Sequence, residues 1–285
     1  MAVTALAATS IHFPRDHYGH TAGIEWWYFT GMVKGSDGHH YSIFLTLFKR
    51  LGFVVPVSQV VDLDTGRIVV HTEKLLPGAV FPFTSRAASL RYDPARNDWS
   101  AGAGLLRFTA HPLKPYVLHG GGSGVIRQGA GTSHYYSATR ASVHGSFGSV
   151  TFTGNAWFDH QWGDFQNTPG ALHWDWFACR FDDDTELMLY RFRGGGGNGT
   201  AVDRSGHGTA VGAFQAVAGA RVFAGEDRRW PLDWTLRVPG RHLTEHLHAI
   251  VPDQLFRALL LPTFWEGAVN ATGTKNGTCF VEETS

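Results

Sequence analysis

Hydrophobic and polar positions alternate along residues 28–49. Phe29, Gly31 and Val33 fall on one side, and Tyr41, Ile43, Leu45 and Leu47 repeat the pattern after Gly35-Ser36-Asp37-Gly38. A period of two is that of a β-strand, whose successive side chains point to opposite faces. The Gly/Asp interruption predicts a hairpin turn. Residues 58–70 predict two more short strands around Asp64-Thr65-Gly66, and residues 87–92, 105–110 and 135–147 read the same way between Gly, Pro or Asp clusters. Helical spacing is scarce. Its best candidate is 253–261, where Leu255, Ala258, Leu259 and Leu261 precede Pro262. Many short strands with a turn every ten or so residues predict an all-β sandwich or barrel.

The pattern also repeats. Asp16-His17-Tyr18-Gly19 is followed by Ile24-Glu25-Trp26-Trp27-Tyr28-Phe29, then Asp37-Gly38 and an apolar strand over 41–48. Asp159-His160-Gln161-Trp162-Gly163 is followed by Leu172-His173-Trp174-Asp175-Trp176-Phe177, then Asp182-Asp183-Asp184 and an apolar strand over 187–192. The order is the same at an offset of about 145 residues, which predicts an internal duplication. Two β-barrel-like domains follow, residues 1–145 and 146–285, with the boundary within 141–149. The glycine run 194–199 reads as a long hairpin loop inside the second domain.

Composition narrows the functional classes. With 24 Lys and Arg against 24 Asp and Glu, the 285-residue chain has no basic surplus to neutralise phosphates, so nucleic acid is not an expected partner. No apolar run reaches the roughly 18 residues that span a bilayer. The two cysteines, Cys179 and Cys279, are too few for a disulfide framework or a cysteine-rich zinc site. Residues 1–10 lack the charge and apolar run of a signal peptide, so a cytoplasmic location is expected, and the sequons at Asn198, Asn270 and Asn276 carry no meaning there. No G-x-G-x-x-G, P-loop or G-x-S-x-G pattern occurs, which argues against a nucleotide enzyme or an α/β-hydrolase. No sequence pattern sets an oligomeric state.

Candidate chemistry concentrates where acids meet rings. In Trp157-Phe158-Asp159-His160-Gln161-Trp162, alternation puts Trp157, Asp159 and Gln161 on one face and Phe158, His160 and Trp162 on the other. Burial among apolar rings raises a carboxyl pKa and keeps the acid protonated near neutral pH, and the rings' π faces attract a cation. Such a site suits protonation of an alkene. In the alternative reading Asp159 caps a turn or pairs with an arginine, and the tryptophans are core. Glu25-Trp26-Trp27-Tyr28 is a second such stretch, with Glu25 and Trp27 on one face. In His134-Tyr135-Tyr136 one hydroxyl goes to each face. The chain has 16 histidines, including His12, His17 and His20, the pair His39-His40, and His246 with His248, but no H-E-x-x-H helix. We therefore assign no metal and no cofactor.

These motifs resemble the AttH/carotenoid 1,2-hydratase family, also called hydroxyneurosporene synthase-like. Phe13-Pro14-Arg15-Asp16-His17 and Glu25-Trp26-Trp27-Tyr28-Phe29-Thr30-Gly31 are similar to its opening signature. His134 to Arg140 looks like its middle motif. The block Trp157 to Gly163, with Trp174-Asp175-Trp176-Phe177 and Glu186-Leu187-Met188-Leu189-Tyr190, looks like its most specific part. Trp230-Pro231-Leu232-Asp233-Trp234 and Phe264-Trp265-Glu266-Gly267 continue the likeness. The resemblance implies two lipocalin-like β-barrel domains packed together. It also implies a cofactor-independent acid/base enzyme that protonates an alkene of a terpenoid or polyketide and directs hydration, isomerisation or cyclisation. Asp159 best matches the family's acid. His160, Glu25 or Tyr136 is the expected base, and Trp27, Tyr28, Trp157, Trp162, Trp174, Trp176 and Tyr190 are the expected lining of an apolar substrate site. A pericyclase shaping a polyene and a non-catalytic carrier of an apolar ligand are the alternatives. Where the family has Gly-Tyr-Val-Glu-Leu-Thr-Gly near the C-terminus, this chain has Gly277-Thr278-Cys279-Phe280-Val281-Glu282-Glu283-Thr284, a departure that bears on the substrate more than on the fold.

Overall fold

Strand Ile24–Gly35 is apolar on both sides: Trp26 and Tyr28 are buried on one face, Trp27 and Phe29 on the other. Such a strand needs an apolar layer on each side, and the fold supplies both. The computed structural model of the protein describes residues 11–78, 81–128, 131–165, 172–193, 195–223 and 229–284. Among them there is no α-helix, only two short 3-10 turns and antiparallel strands.

The first sheet runs, in spatial order, Arg67–Glu73, Phe53–Asp62, His40–Arg50, Ile24–Gly35, Val150–Gly163, Gly131–Phe147, Leu106–Pro112, Asp98–Ala103 and Ala88–Asp93. The second runs Gly208–Ala210, Gly197–Val202, Glu186–Phe192, Trp174–Phe181, Gly277–Thr284, Phe264–Gly273, Leu243–Ala249, Asp233–Val238 and Gln215–Ala218. Each is a four-strand meander whose first strand is then paired, on its free side, by the last strand of the same sheet. The sequence repeat is therefore a repeat of topology, and Trp174–Phe181 is the counterpart of Ile24–Gly35.

Three apolar layers result. One fills the concave side of the first half-barrel, around Trp27, Phe29, Trp99 and Phe158. One fills the second, around Phe177, Leu189, Trp234 and Val281. The middle layer lies between the sheets and takes Trp26, Tyr28, Trp157, Trp174, Trp176, Tyr190 and Phe264.

Several expectations meet the structure here. The turn at Gly35-Ser36-Asp37-Gly38 is present, with Gly38 at φ +92°, a left-handed backbone that glycine adopts without strain. The expected helix over 253–261 is not formed. Leu255–Phe256 is a short strand paired with Phe264 and Trp265, and Phe256 is fully buried while Leu259 is 66% exposed, so the helical periodicity did not mark a buried face. The glycine run is shorter as a loop than expected: Gly197 already opens strand Gly197–Val202, and Gly194 lies outside the described residues. The partition at 145 falls inside the hairpin formed by Gly131–Phe147 and Val150–Gly163, and the change of sheet comes between Gly163 and Trp174. Cys179 and Cys279, opposite each other on neighbouring strands, are joined in a disulfide. Among the described residues, no helix is long and apolar enough to cross a membrane.

Candidate active site

Strand Val150–Gly163 sits at the centre of the first sheet and presents different chemistry on its two faces. Towards the middle layer it presents Asp159, in register with Tyr28 on one side and Ser137 on the other. The Tyr135 hydroxyl donates to Asp159 Oδ2 at 2.8 Å, and the Trp157 indole donates to Oδ1 at 2.6 Å. The Ser137 hydroxyl also donates to Oδ1. Burial pushes the Asp159 carboxyl up to about 7, against the pull of these three donors.

Behind Ser137 stands His119, fully buried and held neutral by that burial, its pKa down to about 3. Its Nε2 is 2.7 Å from Ser137 Oγ and its Nδ1 is 2.8 Å from Thr200 Oγ1. Ser137 donates to Asp159, so its oxygen accepts from His119 Nε2, and Nδ1 is left to accept from Thr200. A one-directional chain of donors thus leads from the second sheet to Asp159.

The second sheet contributes two more acids to the same layer. Glu266 and Glu282 are cross-strand neighbours. The Tyr28 hydroxyl donates to Glu266 Oε1 at 2.7 Å, while Glu266 Oε2 has no partner. Burial first, then the charges of Glu282 and Asp159, push Glu266 well above the usual carboxylate range. Burial also takes Glu282 up to about 8, with Asp159 adding to the rise. Glu282 forms part of the wall of a small, partly open cavity of about 40 Å³ between the sheets, otherwise bounded mainly by Trp26, Tyr28, Phe44, Phe48, Trp174 and Phe264. Trp26 and Trp174 lie near-parallel with centroids 5.9 Å apart, one ring from each sheet. Protonated acids facing aromatic π surfaces can deliver a proton and then stabilise the cation that forms.

On the opposite face the same strand presents His160. Its Nε2 is 3.0 Å from Glu25 Oε1, which also lies 2.8 Å from His20 Nδ1, and Lys49 Nζ donates to Oε2 at 2.9 Å. Burial works against charge on Glu25, but the hydrogen bonds of His160, His20 and Lys49 outweigh it and hold the carboxyl at about 2. Burial keeps His160 neutral, at about 4, in spite of Glu25. The Tyr136 hydroxyl lies between His17 Nδ1 at 2.7 Å and His160 Nδ1 at 3.1 Å. Trp27 stacks on His160, and Trp162 stacks on His20 with centroids 3.8 Å apart.

The site residues expected from sequence therefore divide between two faces. Asp159, Tyr28, Trp157, Trp174, Trp176 and Tyr190 share the middle layer. His160, Glu25, Tyr136, Trp27 and Trp162 share the concave face of the first sheet, so none of the three expected bases meets Asp159 across the same layer. Tyr135, Ser137, His119, Glu266 and Glu282 were not anticipated. Glu266 carried a signal, an acid flanked by rings in Phe264-Trp265-Glu266. Glu282, in Val281-Glu282-Glu283, carried none. Among the described residues, two groups bring three potential metal-ligating atoms within 4.8 Å of one another: His20 with Glu25 and His160, and His39 with Asp62 and Asp64.

Fold and site together define a duplicated half-barrel protein with an acid-bearing aromatic cavity between its sheets. A protein-family model described as AttH-like matches residues 81–285, and the chain belongs to the AttH-like family. Among solved structures, an AttH protein of Nitrosomonas europaea is similar at 22% identity and a TM-score of 0.83, covering 98% of this chain and 99% of that one. Kievitone hydratase from Nectria haematococca is similar at 16% identity and a TM-score of 0.82, covering 96% of this chain and 92% of that one. At these identities the likeness is one of fold. No curated protein matches by sequence.

Proposed function

We propose that the protein is a hydratase-type lyase that protonates an isolated, alkyl-substituted double bond of an apolar terpenoid or polyketide in the cavity between the sheets. The observation that carries this reading is Glu282, a carboxyl raised to about 8 in the wall of an aromatic cavity, with Glu266 directly across the strand pair. The hydratase of like fold supports the reaction class.

In this mechanism protonated Glu282 gives its proton to the less substituted alkene carbon, leaving a tertiary cation and a carboxylate. Trp26, Tyr28 and Trp174 face the cation, and in a water-poor layer the new ion pair is strongly attractive. Water adds through its oxygen, and the proton it sheds returns to the Glu282 carboxylate, so the sum is one water added. The charge of Asp159 adds to the burial that keeps Glu282 protonated, and Glu266, held by Tyr28, is itself neutral across the strand pair. Asp159 is the acid that sequence motifs favour. What supports Glu282 over it as the donor is contact with the cavity, since both Asp159 oxygens are occupied by three donors. Asp159 then serves as the buried negative potential beneath the site.

The test is turnover of prenylated phenols and acyclic isoprenoids in D₂O and in ¹⁸O-labelled water. The expected product carries one carbon-bound deuterium and a labelled tertiary hydroxyl. Glu282→Gln should lose at least about a hundredfold in kcat, the usual worth of a general acid, and Asp159→Asn should stay within about tenfold. The reverse ranking moves the acid to Asp159, and unlabelled ligand recovered unchanged favours a carrier.

The Cys179–Cys279 bridge supports an oxidising compartment rather than the cytoplasmic location first expected. A mass difference of two hydrogens between the native and reduced protein, as isolated from cells under thiol-blocking conditions, checks it.

A further inference from the structure

The concave face of the first sheet holds a constellation that the alkene chemistry leaves unused. His20 Nδ1 and His160 Nε2 converge on one oxygen of Glu25, at 2.8 and 3.0 Å. Two imidazoles and a carboxylate with a fourth position free are the donor set of catalytic zinc sites. The surroundings of the two rings fit that role. A ligating histidine holds its other ring N–H on a carboxylate or a backbone carbonyl, which fixes the tautomer. Here His20 Nε2 lies 3.5 Å from the Asp16 carboxylate, and His160 Nδ1 lies 3.2 Å from the Asp16 carbonyl oxygen. Asp16 is itself pinned by Arg15 Nε at 2.6 Å and by the His12 backbone N–H at 2.7 Å. One residue thus orients both rings from behind, while His20 and Lys49 face a cleft also bounded by Gly19, Phe81 and Asp164. The other cluster, His39 with Asp62 and Asp64, differs: the His39 side chain is 44% exposed and Asp64 lies open to solvent.

We propose that His20, Glu25 and His160 bind a zinc-type divalent cation, with the open coordination position turned to this cleft. Glu25 ligates through Oε1, because Lys49 occupies Oε2. Binding needs the His160 proton on Nδ1, where the Asp16 carbonyl can accept it, so the ion replaces the hydrogen bond from Nε2 to Glu25. The Lys49 ammonium sets a limit on affinity and on the net charge of the site. The proposal does not depend on the hydratase reading, since the ion lies on the other face of the strand.

The experiment is calorimetric titration of the chelator-treated full chain with Zn²⁺, and absorption spectroscopy with Co²⁺ in its place. One equivalent of Zn²⁺ and the intense visible bands of four- or five-coordinate cobalt are expected. His20→Ala and Glu25→Gln should each weaken binding at least about a hundredfold, and Asp16→Asn by about 10- to 100-fold, as removal of a ligand's outer partner does. His20 is the most exposed of the three, so its variant is the one best placed to fold, with thermal melting of the ion-free forms as the check. His39→Ala should bind as wild type. Less than a tenth of an equivalent bound by the wild type, binding unchanged in a folded His20→Ala, or binding lost in His39→Ala each overturns the assignment.

Discussion

Asp159 and His160 are consecutive residues, yet they belong to regions with opposite rules for charge. In the middle layer, acids meet acids: burial raises all three, Asp159 raises Glu282 further, both of these raise Glu266, and Glu266 and Glu282 stay protonated at neutral pH. On the concave face one equally buried acid, Glu25, is surrounded by Lys49, His20 and His160 and is ionised throughout the physiological range. Burial disfavours the charged carboxylate on both faces. What differs is the sign of the neighbours, and that decides which face can give away a proton and which can hold a positive ion.

The largest expected effect tests the neutral face. Glu282→Gln keeps the shape and removes the proton, so kcat should fall by about two to four orders of magnitude with no fall in melting temperature. An equal loss of stability would assign Glu282 to packing instead.

The next breaks the charged face. Lys49→Met leaves Glu25 buried without its ammonium, which should cost about 3 kcal/mol in urea unfolding. Adding Glu25→Gln to the same chain should recover part of that loss. If the double variant is no better than the single, Lys49 acts through packing.

A third exchange makes the two faces more alike. Asp159→Asn takes away the negative charge that adds to the rise of Glu282, so the alkaline limb of the rate profile should move to lower pH from its wild-type position near 8. A limb that does not move uncouples Asp159 from Glu282.

The smallest effect is on stability against pH. Glu282 has an ordinary value of 4.5 and a folded value of about 8. Between these the folded chain holds a proton that the unfolded chain has lost, so its contribution to stability falls as pH rises from about 4.5 to 8. Glu25 runs the other way: its contribution is present above 4.5 and is lost as pH falls towards about 2. Wild type should therefore lose ground relative to Glu282→Gln on going from pH 5 to 8, by chemical denaturation. Relative to Glu25→Gln it should lose ground only below pH 4.5.

Much of the fold was legible because it rests on local alternation. The two Trp-rich segments read as strands, and the repeat of Asp-His turn, Trp strand and acidic turn proved to be a repeat of sheet order. The failures have tertiary causes. Residues 253–261 carry helical spacing, but Leu260 takes a left-handed φ of +66° and its carbonyl accepts from Arg50 of the other sheet, a contact no local pattern records. The division of the site was implicit in the period of two that separates Asp159 from His160. The meeting of Glu266 with Glu282 was not, because it depends on which face of a hairpin turns towards a second sheet. The pairing of Cys179 with Cys279 likewise follows from the return of the last strand to the first.

That return has a consequence for synthesis. Strand Ile24–Gly35 emerges early, but the partner for its free edge, Val150–Gly163, is made only after the rest of the first sheet. At roughly 5–20 residues per second the wait is on the order of ten seconds. During it, an edge carrying Trp26, Trp27 and Phe29 stands open to any passing strand. A chain stopped before Val150 should therefore form aggregates rather than an isolated half-barrel, and the nascent protein is a natural client for chaperones until Gly163 has been added.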